Sequence, residues 1–343
     1  MAQYIEIEDF LNKRNEIKLI DVRSPSEYLQ GHISGAINIP VFSDEERAIV
    51  GTIYKKQGPD IAILKGLEFA GAKMAELAKQ AKKIAQNKQL IIHCWRGGMR
   101  SSSMAWLFEI VGIKTFVLKG GYKSYRSFIR QSFEKEITLL ILSGFTGCGK
   151  TDVLTNIMKL GEQVIDLENI AHHKGSAFGS YGQLEQPTNE QFENDLYEKW
   201  RNINSTKPLW LEDESQFIGK VEIPKALFHK IKSANVIKMD IPKQLRIKRL
   251  SQEYALFDAD LLKRGVLAIQ KRLGGLNTQI AIEEIENKNF DKAIDLVLTY
   301  YDKSYNYGLQ NRLQSTIHTI DFEEDNPLEN AKQLINFTKQ LKI

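Results

Sequence analysis

The chain has 343 residues, a length that favours two domains over a single core. Its hydrophobic fraction of 42% and charged fraction of 26% are ordinary for a soluble protein, and its formal net charge of +4 permits a polyanionic partner without demonstrating one. Two cysteines, each inside a candidate active loop, exclude a disulfide scaffold and suit a reducing cytosol.

The N-terminal residues argue against a signal peptide, because acidic side chains stand where a basic start and an apolar stretch are needed. The apolar runs are all much shorter than the roughly 20 residues that a membrane-spanning helix needs. We therefore expect a cytoplasmic protein with no membrane partner, and we favour a monomer.

Short apolar runs rich in β-branched residues alternate with helical patterns in the first half of the chain. The predicted strands are residues 18–22, 89–93 and 115–118, and the predicted helices are residues 67–84 and 101–111. A pair of glycines then leads into a basic helical stretch. We predict one domain at residues 1–121 and a helical connector at residues 122–136.

The second half restarts with a buried-strand pattern and defines a further predicted domain at residues 137–343. Its predicted strands are residues 138–142, 163–167, 208–211, 235–241 and 316–320, and its clearest helices are residues 242–254 and 291–301. Strands that alternate with helices predict an α/β fold with a parallel sheet in each of the two domains.

The motif Cys-Trp-Arg-Gly-Gly-Met-Arg, which starts at Cys94, predicts a catalytic loop between a strand and a helix. Gly97 and Gly98 let the backbone curl tightly before the helix begins. Backbone N–H groups and the positive helix end then point at the sulfur, while Arg96 and Arg100 add full positive charge. Such a loop stabilises a thiolate and can hold a persulfide, a perselenide or an oxyanion.

Two chemistries share this loop design. Residues 21–28 and 31–40 resemble the rhodanese fold, whose members transfer sulfur through a cysteine persulfide. However, five residues separate Cys94 from Arg100, a spacing that resembles the loop of cell-cycle dual-specificity phosphatases. The longer loop makes a wider cradle that suits a tetrahedral phosphate-like group. Sulfur transfer and a cysteine phosphatase therefore both remain open on local grounds.

A second anion-binding loop, Gly-Phe-Thr-Gly-Cys-Gly-Lys-Thr, satisfies the Walker A pattern between a strand and a helix. Its backbone amides would wrap a diphosphate, Lys150 would neutralise it, and Thr151 would ligate Mg²⁺. The other residues of the predicted phosphate site are Gly144, Thr146, Gly147 and Gly149.

Two further pairs are candidates for the same phosphate site. Glu212 and Glu214 follow a predicted strand and alternate to one face, as Walker B acids would, although a solvated acidic turn is the alternative. Arg246 and Arg249 lie three residues apart on a predicted helix, so they share a face. That face could clamp phosphates or could simply be solvated.

Residues 172–179 and the basic connector are the remaining unusual segments. Adjacent His172 and His173 rarely ligate one metal, so the first segment predicts a loop that contacts phosphate or RNA rather than a zinc site. In the connector, Lys123, Arg126 and Arg130 could contact a nucleic acid, or they could form a solvated helical face.

Taken together, these motifs closely resemble the tRNA 2-selenouridine synthase family, in which a rhodanese-like domain is fused to a P-loop domain. Lys174, the pair Thr188 and Asn189, and Gln216 depart from the family pattern and affect at most fine details of RNA or phosphate contact. Further stretches that carry the resemblance are residues 46–55, 119–123, 175–179, 186–187, 192–194 and 212–219.

The resemblance implies a two-step reaction at the wobble 2-thiouridine of tRNA. Geranyl diphosphate, held by the P-loop, would first alkylate the thiocarbonyl sulfur. Selenophosphate, held by the cysteine loop, would then displace the geranylated sulfur, with Cys94 as selenium acceptor or as essential nucleophile. The alternatives are a phosphatase or sulfurtransferase fused to a nucleotide-binding P-loop domain, and a non-catalytic switch that binds tRNA or nucleotide.

Overall fold

The computed structural model describes residues 2–176, 178–310, 312 and 316–341. The chain divides into two compact units, Met1–Ser132 with Glu193–Glu198, and Phe133–Phe192 with Lys199–Ile343. The division after Ser132 falls inside the stretch predicted as a connector. Ala177 of the predicted 172–179 loop lies outside the described residues, as do residues 311, 313–315 and 342–343 of the predicted 137–343 domain and residue 1 of the first domain.

The first unit is built on a five-stranded parallel sheet. Its strands are β1 (Gln3–Ile5), β2 (Leu19–Asp21), β3 (Ile37–Asn38), β4 (Gln89–His93) and β5 (Lys114–Leu118). They lie in the order β1-β5-β4-β2-β3. Its helices are α1 (Ile7–Lys13), α2 (Pro25–Gln30), α3 (Asp44–Gln57), α4 (Pro59–Gly71), α5 (Met74–Ile84), α6 (Met99–Ile110) and α7 (Gly121–Ser132).

The predicted helix at residues 67–84 is wrong, because two helices, α4 and α5, meet there. The helix α3 was not predicted, although a capping box marks its start: Ser43 N–H donates to Glu46 Oε2 (2.8 Å) and Glu46 N–H donates to Ser43 Oγ (3.2 Å). Gly58, in the left-handed region with φ +97°, separates α3 from α4, and Pro59 opens α4.

The core of the first unit lies between the strands β2 and β4 and the helices α5 and α6. Ile20, Leu90, Ile92 and Phe108 are fully buried members of this core. The apolar run of β4 is continuous because a central parallel strand is covered on both faces. The strand therefore carries Cys94 to the carboxyl edge of a buried sheet.

The second unit also contains a five-stranded parallel sheet, in the order β12-β11-β6-β8-β7, beside a short antiparallel pair of β9 and β10. Its strands are β6 (Leu139–Gly144), β7 (Gln163–Val164), β8 (Leu209–Glu212), β9 (Phe217–Ile218), β10 (Val221–Glu222), β11 (Asn235–Asp240) and β12 (Ile317–Asp321). The predicted α/β class with two parallel sheets is confirmed.

The helices of the second unit cover this sheet and add a helical layer, and residues Glu193–Glu198 of α10 group with the first unit. They are α8 (Lys150–Lys159), α9 (Leu167–Ala171), α10 (Asn189–Trp200), α11 (Lys225–Ser233), α12 (Lys243–Tyr254), α13 (Ala259–Ala268), α14 (Gln270–Leu273), α15 (Gly275–Glu286), α16 (Phe290–Gln310) and α17 (Pro327–Gln340). None of the helices in the described ranges is long and apolar enough to cross a membrane.

Two sequence predictions in this unit need correction at their ends. The strand predicted at residues 163–167 stops at Val164, because Asp166 caps α9 by accepting a hydrogen bond from Asn169 N–H at 2.8 Å. The helix predicted at residues 291–301 is longer at both ends, running from Phe290 to Gln310.

Close backbone contacts between glycines hold the cysteine loop in the first unit. Tyr122 N–H donates to the Cys94 carbonyl at 2.9 Å. Gly121 is in the left-handed region with φ +59°, and a Cβ there would lie 2.3 Å from Cys94 O and 2.5 Å from Gly97 N. The chain therefore requires glycine at this position for both conformation and space.

We predict that Gly121→Ala destabilises the protein by about 3 kcal/mol or more, because a left-handed alanine costs about 1–2 kcal/mol and the overlap adds a similar amount. Gly112→Ala is the matched control, since Gly112 is also left-handed (φ +86°) but a Cβ there would meet nothing within 4 Å. Urea unfolding followed by circular dichroism measures both variants. Equal losses would contradict the steric argument.

Candidate functional site

Cys94 lies in the turn between β4 and α6 and is 3% exposed. Its Sγ is 3.3 Å from the Oγ of Ser101, a buried residue in the first turn of α6. Ser101 Oγ also lies 2.9 Å from the Gly98 carbonyl, to which it can donate. The hydroxyl can thus donate to Gly98 beside a neutral thiol, or turn its proton toward a thiolate.

The two predicted loop arginines have different surroundings. Arg100 donates to both carboxylate oxygens of Glu27, at 2.6 and 3.3 Å, whereas Arg96 is exposed. Burial opposes ionisation of Glu27, yet its hydrogen bonds with Arg100 lower its pKa below the usual value. Sequence reasoning missed Glu27. Its signal was the capping-box spacing from Ser24, whose N–H donates to Glu27 at 3.1 Å.

Buried charges next to the cysteine loop are already matched. Arg23 donates to Asp21 through two nitrogens, at 3.0 and 2.6 Å, and its guanidinium lies 3.9 Å from the ring centre of Tyr122. His93, fully buried beside Asp21, has its pKa lowered by burial and is therefore neutral at pH 7. Arg96, Arg100 and the N-terminus of α6 remain as sources of positive charge for the cysteine loop.

The P-loop connects β6 to α8 in the second unit, as the Walker A pattern predicts. Lys150 Nζ donates to the Gly144 carbonyl at 3.2 Å, so the lysine folds back over its own loop. A Cβ on Gly144 would lie 2.7 Å from Cys148 Sγ, which leaves no space for a side chain. Burial raises the pKa of the Cys148 thiol, so Cys148 is a packed, neutral side chain.

Helix α12 brings both predicted arginines to the P-loop. Arg246 Nη1 donates to the Thr146 carbonyl at 3.2 Å, and the Arg249 guanidinium lies 2.8 Å from where a Cβ on Gly149 would stand. Gly147 is equally confined, since a Cβ there would lie 2.8 Å from a methyl carbon of Leu250 on the same helix. The solvated-face alternative is wrong for Arg246, which is buried.

Both arginines have carboxylate partners. Arg246 binds Asp302 through two hydrogen bonds, at 3.0 and 2.8 Å. Arg249 binds Asp325 at 2.9 and 2.6 Å and also contacts Asp152, and these hydrogen bonds raise its pKa further. A bound diphosphate would therefore compete with carboxylates for the guanidinium groups.

Three buried glutamates meet beside the P-loop. One carboxylate oxygen from each of Glu168, Glu212 and Glu214 lies within 4.8 Å of the others. Thr151 Oγ1 is 3.5 Å from Glu168 Oε2. The strand β8 ends at Glu212, so the shared strand face predicted for Glu212 and Glu214 does not form, yet both side chains reach the same cluster. Because both are buried, the solvated-turn alternative is wrong.

Sequence reasoning missed Glu168. The strand β7 pairs in parallel with β8, so that Val164 lies beside Trp210, and the chain after each strand emerges at the same edge of the sheet. Glu212 ends β8, and Glu168 lies in the first turn of α9 just after β7. An acidic residue following the neighbouring predicted strand was the available signal.

Burial dominates the titration of this cluster. It raises the pKa of Glu168 to about 8, with a further contribution from the charge of Glu214. The pKa values of Glu212 and Glu214 are raised in the same way, first by burial and then by neighbouring carboxylates. Burial alone would lower the pKa of Lys150, but the surrounding acidic groups raise it, so the lysine stays charged.

The segment at residues 172–179 lies against the glutamate cluster. A Cβ on Gly175 would lie 2.8 Å from Glu168 Oε1 and 3.1 Å from Glu214 Oε2. Lys174 forms an ion pair with Glu253. Within the described part of the chain, the group of side chains that could hold a metal contains no histidine. Contact of this segment with phosphate or RNA stays a prediction.

The basic residues of α7 are not one uniform surface. Arg126 is buried and binds Glu193 and Asn194, the latter at 2.7 Å, while Arg130 Nε lies 3.1 Å from Glu193. Lys123 is exposed. Neither a solvated face nor direct tRNA contact fits Arg126, because its guanidinium is used inside the first unit.

We predict that Ser101→Ala slows alkylation of Cys94 by iodoacetamide about tenfold at pH 7, because the attacking sulfur loses a hydrogen-bond partner that lies 3.3 Å away. Peptide mass spectrometry at a series of reaction times would follow Cys94 separately from Cys148. Ser102→Ala is the control, since Ser102 Oγ donates to the Met99 carbonyl. The same rate in both variants would show that Ser101 does not act on the sulfur.

We predict that, in the presence of a chelator, the protein loses stability as pH rises from about 4.5 to about 8. In the unfolded chain these glutamates lose their protons above their usual pKa of 4.5, whereas the buried cluster retains its protons up to a pH of about 8. The stabilisation from the protonated cluster is therefore complete below pH 4.5 and is lost as the pH rises through about 8. Thermal unfolding should show a shallower decline for Glu214→Gln than for Glu134→Gln, an exposed control; identical slopes would refute this origin.

Comparison with known proteins supports one family along most of the chain. Residues 6–128 match the rhodanese-like domain, and residues 137–326 match the tRNA 2-selenouridine synthase AAA domain. A relative named tRNA 2-selenouridine synthase from Nitrosomonas europaea is 34% identical over 86% of this chain and 89% of its own length. Another of that name from Bdellovibrio bacteriovorus is 35% identical over 80% of each chain. The chain belongs to the tRNA 2-selenouridine synthase family.

Proposed function

We propose that this protein is a tRNA-modifying transferase that converts the wobble 2-thiouridine of tRNA into 2-selenouridine in two steps. The observation that carries the proposal is a cysteine loop and a diphosphate-type P-loop within one chain of this family. Relatives of the chain are named tRNA 2-selenouridine synthases. The proposed substrates are tRNA, geranyl diphosphate and selenophosphate.

In the first step, the thiocarbonyl sulfur attacks the allylic carbon of geranyl diphosphate. The carbon–oxygen bond breaks, its electron pair leaves with diphosphate, and the base releases its N3 proton. The departing charge needs fixed positive partners. Lys150 and the backbone N–H groups of the P-loop provide them, and Arg246 and Arg249 stand beside the same loop.

A Mg²⁺ ion beside Thr151 would neutralise part of the diphosphate charge when it is bound. The residues present fit such an ion, because Glu212 Oε2 is buried with no hydrogen-bond partner in the described part of the chain and the three clustered ligand atoms are carboxylate oxygens. Thr151 and the glutamates would hold the ion, and Lys150 would hold the diphosphate.

In the second step, selenium replaces the geranylated sulfur, which alkylation has converted from a poor leaving group into a thiolate that can depart. We favour Cys94 as the nucleophile. Its thiolate would attack C2 and expel geranylthiolate, selenium would then expel Cys94, and water would cleave the selenium–phosphorus bond to release phosphate. Transfer of selenium from selenophosphate onto Cys94 would instead need an oxidant to form a sulfur–selenium bond.

The cysteine loop suits this role through its charge and its helix terminus. Arg96 is exposed and could approach the selenophosphate anion, while Arg100 is held in place by Glu27. The N-terminus of α6 adds partial positive charge at Cys94. Ser101 offers a hydroxyl to the sulfur at 3.3 Å.

Mass spectrometry of tRNA nucleosides separates the two steps. We predict that Lys150→Ala abolishes geranylation, because the leaving diphosphate loses its main cation, while conversion of pre-geranylated tRNA to selenated tRNA continues. Cys94→Ala should show the opposite pattern. Each block should exceed about 100-fold in rate, in line with the loss of a principal charge-stabilising or nucleophilic group.

Lys159→Ala is the control, since Lys159 lies at the exposed C-terminal end of α8, the helix that Lys150 begins. If Cys94→Ala selenates tRNA at the normal rate, the cysteine loop does not have the proposed role. If Lys150→Ala geranylates tRNA at the normal rate, the P-loop does not have its proposed role. Release of phosphate from an aryl phosphate, abolished by Cys94→Ala, would favour a phosphatase. Unaltered tRNA with every cosubstrate present would favour a binding switch.

A further inference from the structure

We propose that Glu168, Glu212 and Glu214 form a divalent-cation site that fills in the absence of diphosphate, so that the ion is resident in the protein before the prenyl donor arrives. The site adjoins the P-loop of the proposed function, and only the role of the ion in diphosphate release rests on that function. The binding itself is a property of three side chains and can be measured on the protein alone.

The geometry of the cluster suits a divalent cation. One oxygen from each carboxylate lies within 4.8 Å of the other two, a spacing that a cation bound at 2.0–2.6 Å from each oxygen can bridge. Glu212 is 2% exposed, and its Oε2 is buried without a hydrogen-bond partner among the described residues. A buried carboxylate oxygen with no donor carries a large desolvation cost, which a cation would offset.

The charge of the cluster matches a divalent ion. When a cation displaces the protons that the buried cluster otherwise retains, the three glutamates contribute −3, and Lys150 contributes +1 with its Nζ 3.9 Å from Glu212 Oε1. The remaining −2 equals the charge that one Mg²⁺ or Mn²⁺ supplies. Because every donor is an oxygen, the set suits a hard cation rather than zinc.

The surrounding backbone excludes a side chain from this position. Gly175 is in the left-handed region with φ +65°, and a Cβ there would lie 2.8 Å from Glu168 Oε1. The segment that contains it is thus held against the carboxylates and leaves no room for a methyl group beside them. On another side, the Thr151 hydroxyl is 3.5 Å from Glu168 Oε2 and links the cluster to the first turn of α8.

These contacts distinguish a resident ion from one that arrives with the ligand. An ion held by one hydroxyl and by ligand phosphates needs the phosphates for most of its coordination, as Mg²⁺ commonly does. Here three carboxylates come from α9, from the end of β8 and from the chain just after it. The protein alone therefore supplies three anionic ligands, and a diphosphate would complete the shell.

Titration of the metal-free full-length protein with Mn²⁺, followed by electron paramagnetic resonance, tests this inference. No tRNA, prenyl donor or selenium donor is present. We expect one Mn²⁺ per chain, competed by Mg²⁺. Glu168→Gln and Glu214→Gln should each weaken binding about tenfold or more, because each removes one anionic ligand. Glu134→Gln, an exposed substitution of the same kind, should leave binding unchanged.

Thermal unfolding without metal checks that each variant is folded, and the rise in melting temperature on adding Mn²⁺ gives a second readout. Mn²⁺ that binds only after inorganic diphosphate is added would overturn the proposal. Equal Mn²⁺ affinity in all variants would also overturn the proposal, because the ion would then be bound by carboxylates on the surface and not by the glutamate cluster. If the protein binds Mn²⁺ by itself but cannot geranylate tRNA, the proposed ion site is supported and the proposed function is wrong.

Discussion

Close approach of neighbouring atoms to the glycine backbone at the carboxyl edge of each sheet is the constraint on which both loops depend. In the first unit, Gly121 lies so near the Cys94 carbonyl and Gly97 N that a methyl group would overlap both. In the second unit, the Cys148 sulfur and the Met239 carbonyl leave no room for a side chain at Gly144, and a side chain of α12 confines Gly147. Loops that must present N–H groups to an anion have little room for side chains, which explains why each motif is rich in glycine.

Charge pairing is the second shared feature of the loops. Arg100 is paired with Glu27, Arg246 with Asp302, and Lys150 lies near the glutamate cluster. Such partners hold long cationic side chains in position before an anion binds, which reduces the conformational entropy lost on binding. They also demand that the anion outcompete a carboxylate, so weakly charged anions are disfavoured. Multiply charged phosphates and selenophosphate meet that demand better than monoanions.

Much of the architecture could be predicted from the sequence because its signals are local. Five strand predictions in the second half and three in the first correspond to observed strands, and α12 begins within one residue of its predicted start. The prediction failed at residues 67–84, where one apolar periodicity spans two helices. Gly71 ends α4 directly before the turn at Ala72 and Lys73, so an isolated glycine inside the predicted helix was the available signal of a break.

The position of both anion-binding loops was determined by the sequence alone, because a strand, a glycine turn and a helix N-terminus are formed by consecutive residues. Which distant side chains meet those loops was decided only by the tertiary structure. Glu168 joins Glu212 because β7 and β8 are neighbours, Glu27 reaches Arg100, and Arg126 turns inward to Glu193. Sheet order and helix packing depend on burial summed over the whole unit, so no short segment of the sequence encodes these contacts.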